Sequence, residues 1–307
     1  MTISFDGRAA IVTGAGGGLG RCHALGLAAR GAKVVVNDLG PGGEAPDSSL
    51  AVVAEIEEAG GVAMADGADV SNAEQVAAMV QRAEVEWGGV DILINNAGIL
   101  RDKSFAKMEL ADFELVVRVH LLGSAICAKA VWPGMRERNY GRIVFTASSS
   151  GLYGNFGQAN YAAAKAGMIG LMNVLHLEGA KNNIRVNTLA PTAATNMTAG
   201  LLPPQMIALM APEAVTPAAL YLVSENAPSR VILGAGAGTF AVTHIVESAG
   251  LFLSEVHRTP ETIAERFAEI ANPASARPLD NAFGQTFKFV EAAARAIGVA
   301  LPKQGDQ

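Results

Sequence analysis

Short apolar runs alternate with longer stretches in which apolar residues recur every three or four positions, from the start of the chain to about residue 240. The runs Ala9–Thr13, Lys33–Asp38, Val62–Ala65, Ile92–Asn95, Arg142–Ala147 and Arg185–Leu189 are near-continuously apolar. Such runs suit strands buried on both faces. Between them the periodicity predicts helices over Gly18–Arg30, Leu50–Ala59, Ala73–Glu86, Ala111–Glu137 and Ala159–Ala180. The alternation predicts an α/β fold, a doubly wound parallel sheet with helices on both faces. Ligands bind to such sheets beyond the carboxyl ends of the strands, where the strand order reverses. The loops after the strands are therefore where chemistry is sought.

Two stretches break the rhythm. Ala193–Pro212 is apolar and punctuated by proline, with Met197, Leu201, Leu202, Pro203, Pro204, Met206, Leu209 and Met210. It follows a strand end, so it is expected to be a mobile lid over an apolar substrate, with a packed surface helix as the plainer reading. After about residue 242, Thr259-Pro260-Glu261 supplies an N-cap, a proline at N1 and an acidic first turn for a helix to about Ile270. A second helix is expected over Gly284–Ile297. The expected organisation is a catalytic domain over residues 1–245 and a helical extension over 246–307, packed on the same domain or on a partner subunit.

Composition narrows the class. Half of the 307 residues are hydrophobic, 17% are charged and 34 are glycine, which suits a well-buried enzyme-like domain and argues against disorder. A net charge of −6 provides no basic stripe for nucleic acid or for an anionic membrane. Cys22 and Cys127 lack metal-ligand spacing and are expected to be buried thiols in a reducing compartment. His23, His120, His176, His244 and His257 are scattered, so no metal site is expected. Met1–Arg8 lacks a leader-like apolar core, no run reaches about 18 uninterrupted apolar residues, and the last residues are not Ser-Lys-Leu. The expectation is a cytoplasmic enzyme without membrane insertion.

Thr13–Gly20, between the first strand and the first helix, is rich in glycine. The G-x-G-x-x-G register fails from every start; G-x-x-x-G-x-G fits, with Gly14, Gly18 and Gly20, and Leu19 between the last two. Glycines there let the backbone approach a pyrophosphate drawn to the helix N-terminus. The context is that of a Rossmann-type nucleotide site. Asp38 ends the second strand, where a carboxylate accepts hydrogen bonds from ribose hydroxyls and repels a 2′-phosphate, so NAD is expected over NADP. Asp69 and Val70 could line the adenine, and a helix-capping loop explains them nearly as well. Farther on, Tyr161 and Lys165 stand four apart on one helix face, with Ser148 upstream. An ammonium beside a phenol favours the phenolate and is expected to pull the tyrosine below its free value.

Together the Thr13–Gly20 loop, Asn95-Asn96-Ala97-Gly98, Ser148, Tyr161 and Lys165 resemble the short-chain dehydrogenase/reductase family over most of residues 5–240. The resemblance implies that Tyr161 is the general acid/base, that Ser148 bonds the reacting oxygen, and that Lys165 tunes the tyrosine and holds the nicotinamide ribose. It further implies that Asn96, Ala97 and Gly98 support the cofactor wall. His120 stands where the family usually has asparagine, a residue thought to act through its backbone carbonyl in a proton relay. A histidine could keep that carbonyl; a buried structural role for the imidazole is favoured over direct catalysis. Pro191-Thr192 departs from the family's usual Pro-Gly.

A narrower resemblance rests on Val36–Gly40, Trp132-Pro133, Tyr153–Tyr161 and Thr259–Glu261. It is to the (3R)-hydroxyacyl-CoA dehydrogenase part of peroxisomal multifunctional enzymes of type 2, and implies oxidation of a (3R)-3-hydroxyacyl-CoA with NAD. The alternatives are a hydroxysteroid or other bulky-alcohol dehydrogenase, a 3-ketoacyl-carrier-protein reductase, and a non-catalytic NAD sensor. The family commonly forms homodimers or homotetramers, and the small residues Ala162, Ala163, Ala164, Ala166, Gly167 and Gly170 would allow close helix packing.

Overall fold

The apolar runs become strands, and the central ones are covered on both faces. β1 (Ala9–Thr13), β2 (Lys33–Asn37), β3 (Val62–Asp66), β4 (Ile92–Asn95), β5 (Gly141–Thr146) and β6 (Ile184–Thr192) are parallel neighbours in one sheet. β1, β4 and β5 are buried along their whole length. β7 (Ile232–Gly236) extends the sheet in parallel, and β8 (Thr239–Thr243) closes it as an antiparallel edge, giving the order β3-β2-β1-β4-β5-β6-β7-β8. The order reverses between β1 and β4. The computed structural model describes residues 2–194 and 203–301. Met197, Leu201 and Leu202 of the expected lid lie outside the described residues. Pro204–Ile207, within the same stretch, is a short helix, α8.

One apolar layer joins α1 (Gly18–Ala28), α2 (Asp47–Glu58) and α9 (Thr216–Leu222) to the sheet through Leu27, Ile56 and Leu220. The other joins α3 (Ala73–Trp87), α5 (Gly123–Glu137) and α7 (Ala159–Gly179) through Val80, Val131 and Met168. Local signals set the ends of α3. Asn72 accepts from the Glu74 and Gln75 amides at 3.0 and 3.2 Å, and Gly88 ends the helix with φ +83°. Cys22 and Cys127 are buried free thiols on α1 and α5.

The helix expected over Ala111–Glu137 is interrupted. α4 (Leu110–Val117) runs into a π turn at Arg118–Leu122, and α5 continues from it. By length and composition Leu110–Glu137 could cross a bilayer. Its apolarity has a use inside the fold, since Cys127, Ala128, Val131 and Met135 bury against the sheet layer. Three elements were not expected: α6 (Ser149–Tyr153), α9 and the β7–β8 hairpin, whose turn at Ala237 and Gly238 takes φ values of +48° and +74°.

The chain divides into two compact units, Met1–Thr243 and His244–Gln307. In the second, Thr259 caps α10 (Pro260–Glu265) by accepting from the Thr262 amide at 3.2 Å. The helix expected to reach Ile270 stops at Arg266 and restarts as α11 (Phe267–Ile270). Asn281 caps α12 (Ala282–Ile297), and Glu247 pairs with Lys288 and with Gln285 of that helix.

Candidate active site

At the switch point, Asn96 ties the ends of β1 and β4 together. Its side-chain amide donates to the carbonyls of Thr13 and Gly14 at 3.1 and 3.0 Å. Thr13 Oγ1 returns the tie, accepting from the amides of Asn96 and Ala97 at 3.0 Å each. This role of Thr13 escaped the sequence reading, although a buried hydroxyl closing a strand is a readable hint. The glycine register follows from the same crowding. Gly14 sits at φ +63°, and a Cβ there would lie 2.8 Å from Ala97 Cα. A Cβ on Gly20 would lie 2.2 Å from the Gly14 carbonyl oxygen, so the helix can approach the loop only without one. Gly18 takes φ +51°.

This loop fits a dinucleotide. Gly17 caps α1 with no side-chain hydrogen bond and the first turn carries no acidic residue, so the first-turn amides are left to an anion. A Cβ at Gly17 would meet nothing within 4 Å, which marks open space beside those amides. Asp38 lies across Gly16: its Oδ2 accepts from the Gly16 amide at 3.0 Å and Oδ1 from the Leu39 amide at 2.8 Å. Asp69 is a turn former here, accepting from the amide and the hydroxyl of Ser71 at 2.8 Å each. Val70 is buried, and a Cβ on Gly123 of α5 would meet its Cγ2 at 2.9 Å.

Ser148, Tyr161 and Lys165 converge. Ser148 leaves β5 as the N-cap of α6, its Oγ accepting from the Ser150 amide at 3.1 Å. Tyr161 and Lys165 lie on α7, and the Ser148 hydroxyl faces the Tyr161 phenol closely enough to favour its ionised form. The Lys165 Nζ lies 5.4 Å from the centre of the tyrosine ring and donates to the Thr146 carbonyl. Burial pulls this ammonium down to about 7. The sequence led us to expect a tyrosine pulled below its free value; instead it is raised above it. Burial raises it, the nearby Ser148 hydroxyl lowers it, and the charge of Asp102 raises it further. The reason is that desolvation acts on both partners, and the lysine faces a backbone carbonyl in the interior.

His120 is buried in the π turn, with Nε2 at 3.0 Å from the Ile99 amide nitrogen and 2.8 Å from the Ile99 carbonyl oxygen. Its ring meets Tyr161 edge-on, centroids 5.1 Å apart. Burial and then the Lys165 charge push the imidazole down to about 3, so it is neutral. A Cβ on Gly98 would lie 2.1 Å from the imidazole Cε1, which gives Gly98 a steric reason to be glycine. The imidazole thus meets Tyr161 through its ring. Among the described residues, no group of three His, Cys, Asp or Glu side chains could hold a metal ion.

Residues 8–205 match the family model described as short chain dehydrogenase. The chain is 46% identical over 275 residues to peroxisomal multifunctional enzyme A of Dictyostelium discoideum, covering 88% of this chain and 61% of that protein. It is 44% identical to the putative short-chain type dehydrogenase/reductase Rv0148 of Mycobacterium tuberculosis, covering 88% of this chain and 96% of the relative. Full-length peroxisomal multifunctional enzyme type 2 from Drosophila melanogaster superposes with a TM-score of 0.81 at 37% identity, covering 96% of this chain and 51% of that one. A 7α-hydroxysteroid dehydrogenase with NADH and 7-oxo glycochenodeoxycholic acid superposes with a TM-score of 0.70 at 31% identity, covering 76% of this chain and 95% of that one. The chain thus spans between about half and two thirds of the two multifunctional proteins' lengths.

One expectation is overturned. Several relatives carry peroxisomal names, from slime mould, yeast, mouse, Neurospora and fly, which goes against a cytoplasmic enzyme. The features behind that expectation, no apolar leader and no terminal Ser-Lys-Leu, concern short signals at chain ends. They carry no compartment information for a chain that spans part of its relatives.

Proposed function

Because the chain belongs to the short-chain dehydrogenases, and so is an oxidoreductase using a nicotinamide dinucleotide, we propose that it interconverts a (3R)-3-hydroxyacyl-CoA and the 3-ketoacyl-CoA with NAD. The carrying observation is the convergence of Ser148, Tyr161 and Lys165 on the sheet that also bears the glycine loop and Asp38. Gly14, Gly18, Leu19 and Gly20 would receive the pyrophosphate, Asp38 the adenosine ribose, and Asn96, Ala97 and Gly98 would back the nicotinamide side. Asp69 and Val70 would flank the adenine. When bound, the nicotinamide supplies the hydride exchange.

The chain's own residues handle the proton. Ser148 fixes the substrate oxygen, and the Tyr161 hydroxyl gives that oxygen a proton in reduction or takes one in oxidation. Burial keeps Tyr161 protonated, the form that serves reduction; oxidation is favoured as pH rises and the phenol ionises. Lys165 carries its own charge below about 7, and there it favours the negative charge that builds on the phenol oxygen during proton transfer. His120 is assigned to holding the Tyr161 ring and, through its backbone, to the relay beside Lys165. The test is NADH absorbance from purified protein with NAD and (3R)-3-hydroxyacyl-CoA substrates. Tyr161→Phe should lower turnover by about 10²- to 10⁴-fold, the usual worth of a general acid/base; near-full activity would refute the scheme.

A second reading, oxidation of a bulky alcohol such as a steroid, is favoured by the 7α-hydroxysteroid dehydrogenase likeness. Comparing steroid and acyl-CoA turnover decides between them. A homo-oligomer is supported by an open apolar groove of about 690 Å³ between α3, α5 and α7, lined by Ala77, Leu122, Ile126, Trp132, Leu171 and Leu175. A second copy of the chain would cover it, and sedimentation gives the number of subunits.

A further inference from the structure

Two loops meet beside Tyr161, and neither supplies an atom to the chemistry described above. One follows β4 and contains Arg101, Asp102 and Lys103. The other, Gly154–Gln158, joins α6 to α7. The Lys103 amide donates to the Gly157 carbonyl at 2.9 Å, and the Asn160 side-chain amide donates to the Arg101 carbonyl at 3.1 Å. Asn160 Oδ1 accepts from the Tyr161 amide at 2.7 Å. At the centre is Gln158, which is 9% exposed. Its Nε2 donates to Asp102 Oδ2 at 2.7 Å, and its Oε1 accepts from Ser150 Oγ at 2.8 Å and from Asn155 Nδ2 at 3.1 Å.

Ser150 extends this chain to the site. Its hydroxyl bonds Gln158 while its amide donates to Ser148 Oγ at 3.1 Å. An unbroken path of hydrogen bonds therefore runs from the Asp102 carboxylate through Gln158 and Ser150 to Ser148. Asn160 makes the parallel connection from the Arg101 carbonyl to the Tyr161 backbone. A buried amide with its oxygen doubly satisfied and its nitrogen on a carboxylate has one orientation, and so do the groups bonded to it.

We propose that Asp102 and Gln158 are positioning residues, part of a polar clasp that holds Ser148 and the Tyr161 backbone in register. The proposal rests on the acid/base reading of Tyr161. Charged and titratable groups face this tyrosine from three elements. Lys165 comes from its own helix, with Nζ 5.4 Å from the ring centre. The imidazole of His120 comes from the π turn, and Asp102 from the loop after β4. The Asp102 charge is the one that opposes ionisation.

The experiment is a pair of variants followed by pH profiles in the oxidation direction. Asp102→Asn keeps an oxygen for Gln158 and removes the charge, so the rising limb of activity should move to lower pH. Gln158→Ala keeps the charge and cuts the clasp. Its kcat/KM should fall about tenfold, equivalent to about 1.4 kcal/mol, the size of one or two net hydrogen bonds, with the limb in place. An Asp102→Asn limb that does not move, or a Gln158→Ala enzyme with wild-type kcat/KM, overturns the proposal. Hydrogen exchange provides a readout that does not need activity: Gln158→Ala should speed exchange at the Lys103 amide, and unchanged exchange there also overturns the clasp. Wild-type protein inactive on every alcohol would instead defeat the acid/base reading, with the exchange result still deciding the clasp.

Discussion

Replacing Gly98 by alanine puts one methyl group where His120 already is. The added Cβ would lie 2.1 Å from Cε1, 2.8 Å from Nδ1 and 2.9 Å from Nε2 of the imidazole. The ring has little room to retreat, because it is 1% exposed, held at Nε2 by the Ile99 backbone and set edge-on to Tyr161. Overpacking of this kind costs about 1–3 kcal/mol. At a mid-range value of about 2 kcal/mol, a fold of this size should lose roughly 4–8 °C in Tm. Turnover should fall further than stability suggests, since a misplacement of about 1 Å at a reacting group can cost about 10²-fold. Thermal unfolding and steady-state kinetics on Gly98→Ala measure both. The double variant with His120→Ala supplies the control, because removing the ring relieves the clash. Stability should recover in part, with a coupling of about 0.5–3 kcal/mol between the two sites. Wild-type Tm and kcat in the single variant, or strict additivity in the double one, would refute the steric reasoning.

Lys165 gives a pH prediction. Its folded value lies below the unfolded one, so between about 7 and the free lysine value the unfolded chain binds more protons, and stability should rise with pH through that window. Lys165→Met should flatten the rise in denaturant titrations run across that range; an identical slope would count against the buried ammonium. Asp38→Ala should raise the kcat/KM ratio of NADP to NAD by at least about tenfold, judged from the loss of charge repulsion at a 2′-phosphate, and an unchanged ratio would remove Asp38 from cofactor selection. Thr13→Val leaves the Asn96 and Ala97 amides without their shared acceptor. It should cost about 1–3 kcal/mol in chemical unfolding, with Thr13→Ser restoring most of it.

Periodicity revealed what depends on burial of continuous runs. β1, β2 and β4 were legible because valine and isoleucine occupy both faces, and the loop register was legible because Gly14 and Gly20 face backbone atoms no side chain can displace. The β7–β8 hairpin was hidden by Gly234, Gly236 and Gly238, which dilute the strand signal. α6 is too short to show a period. The meeting of His120 with Tyr161 depends on a turn that the α period cannot show, and the direction of the Tyr161 shift depends on desolvation. The Asp102–Gln158 clasp joins residues far apart in sequence, whose types alone suggest solvated loop positions.

The π turn at Arg118–Leu122 also puts α4 and α5 out of phase. An α-helix advances about 100° per residue, so the extra residue held in the wider turn rotates everything before it by about that angle relative to everything after it. Removing one residue between Arg118 and Leu122 would let a plain α-helix run through. α5 is fixed by Cys127, Val131 and Met135 in the sheet layer, so α4 would have to swing. The deletion would turn a different face of α4 toward α7 and withdraw the histidine from the tyrosine. In this helix, sequence length itself works as an angular setting.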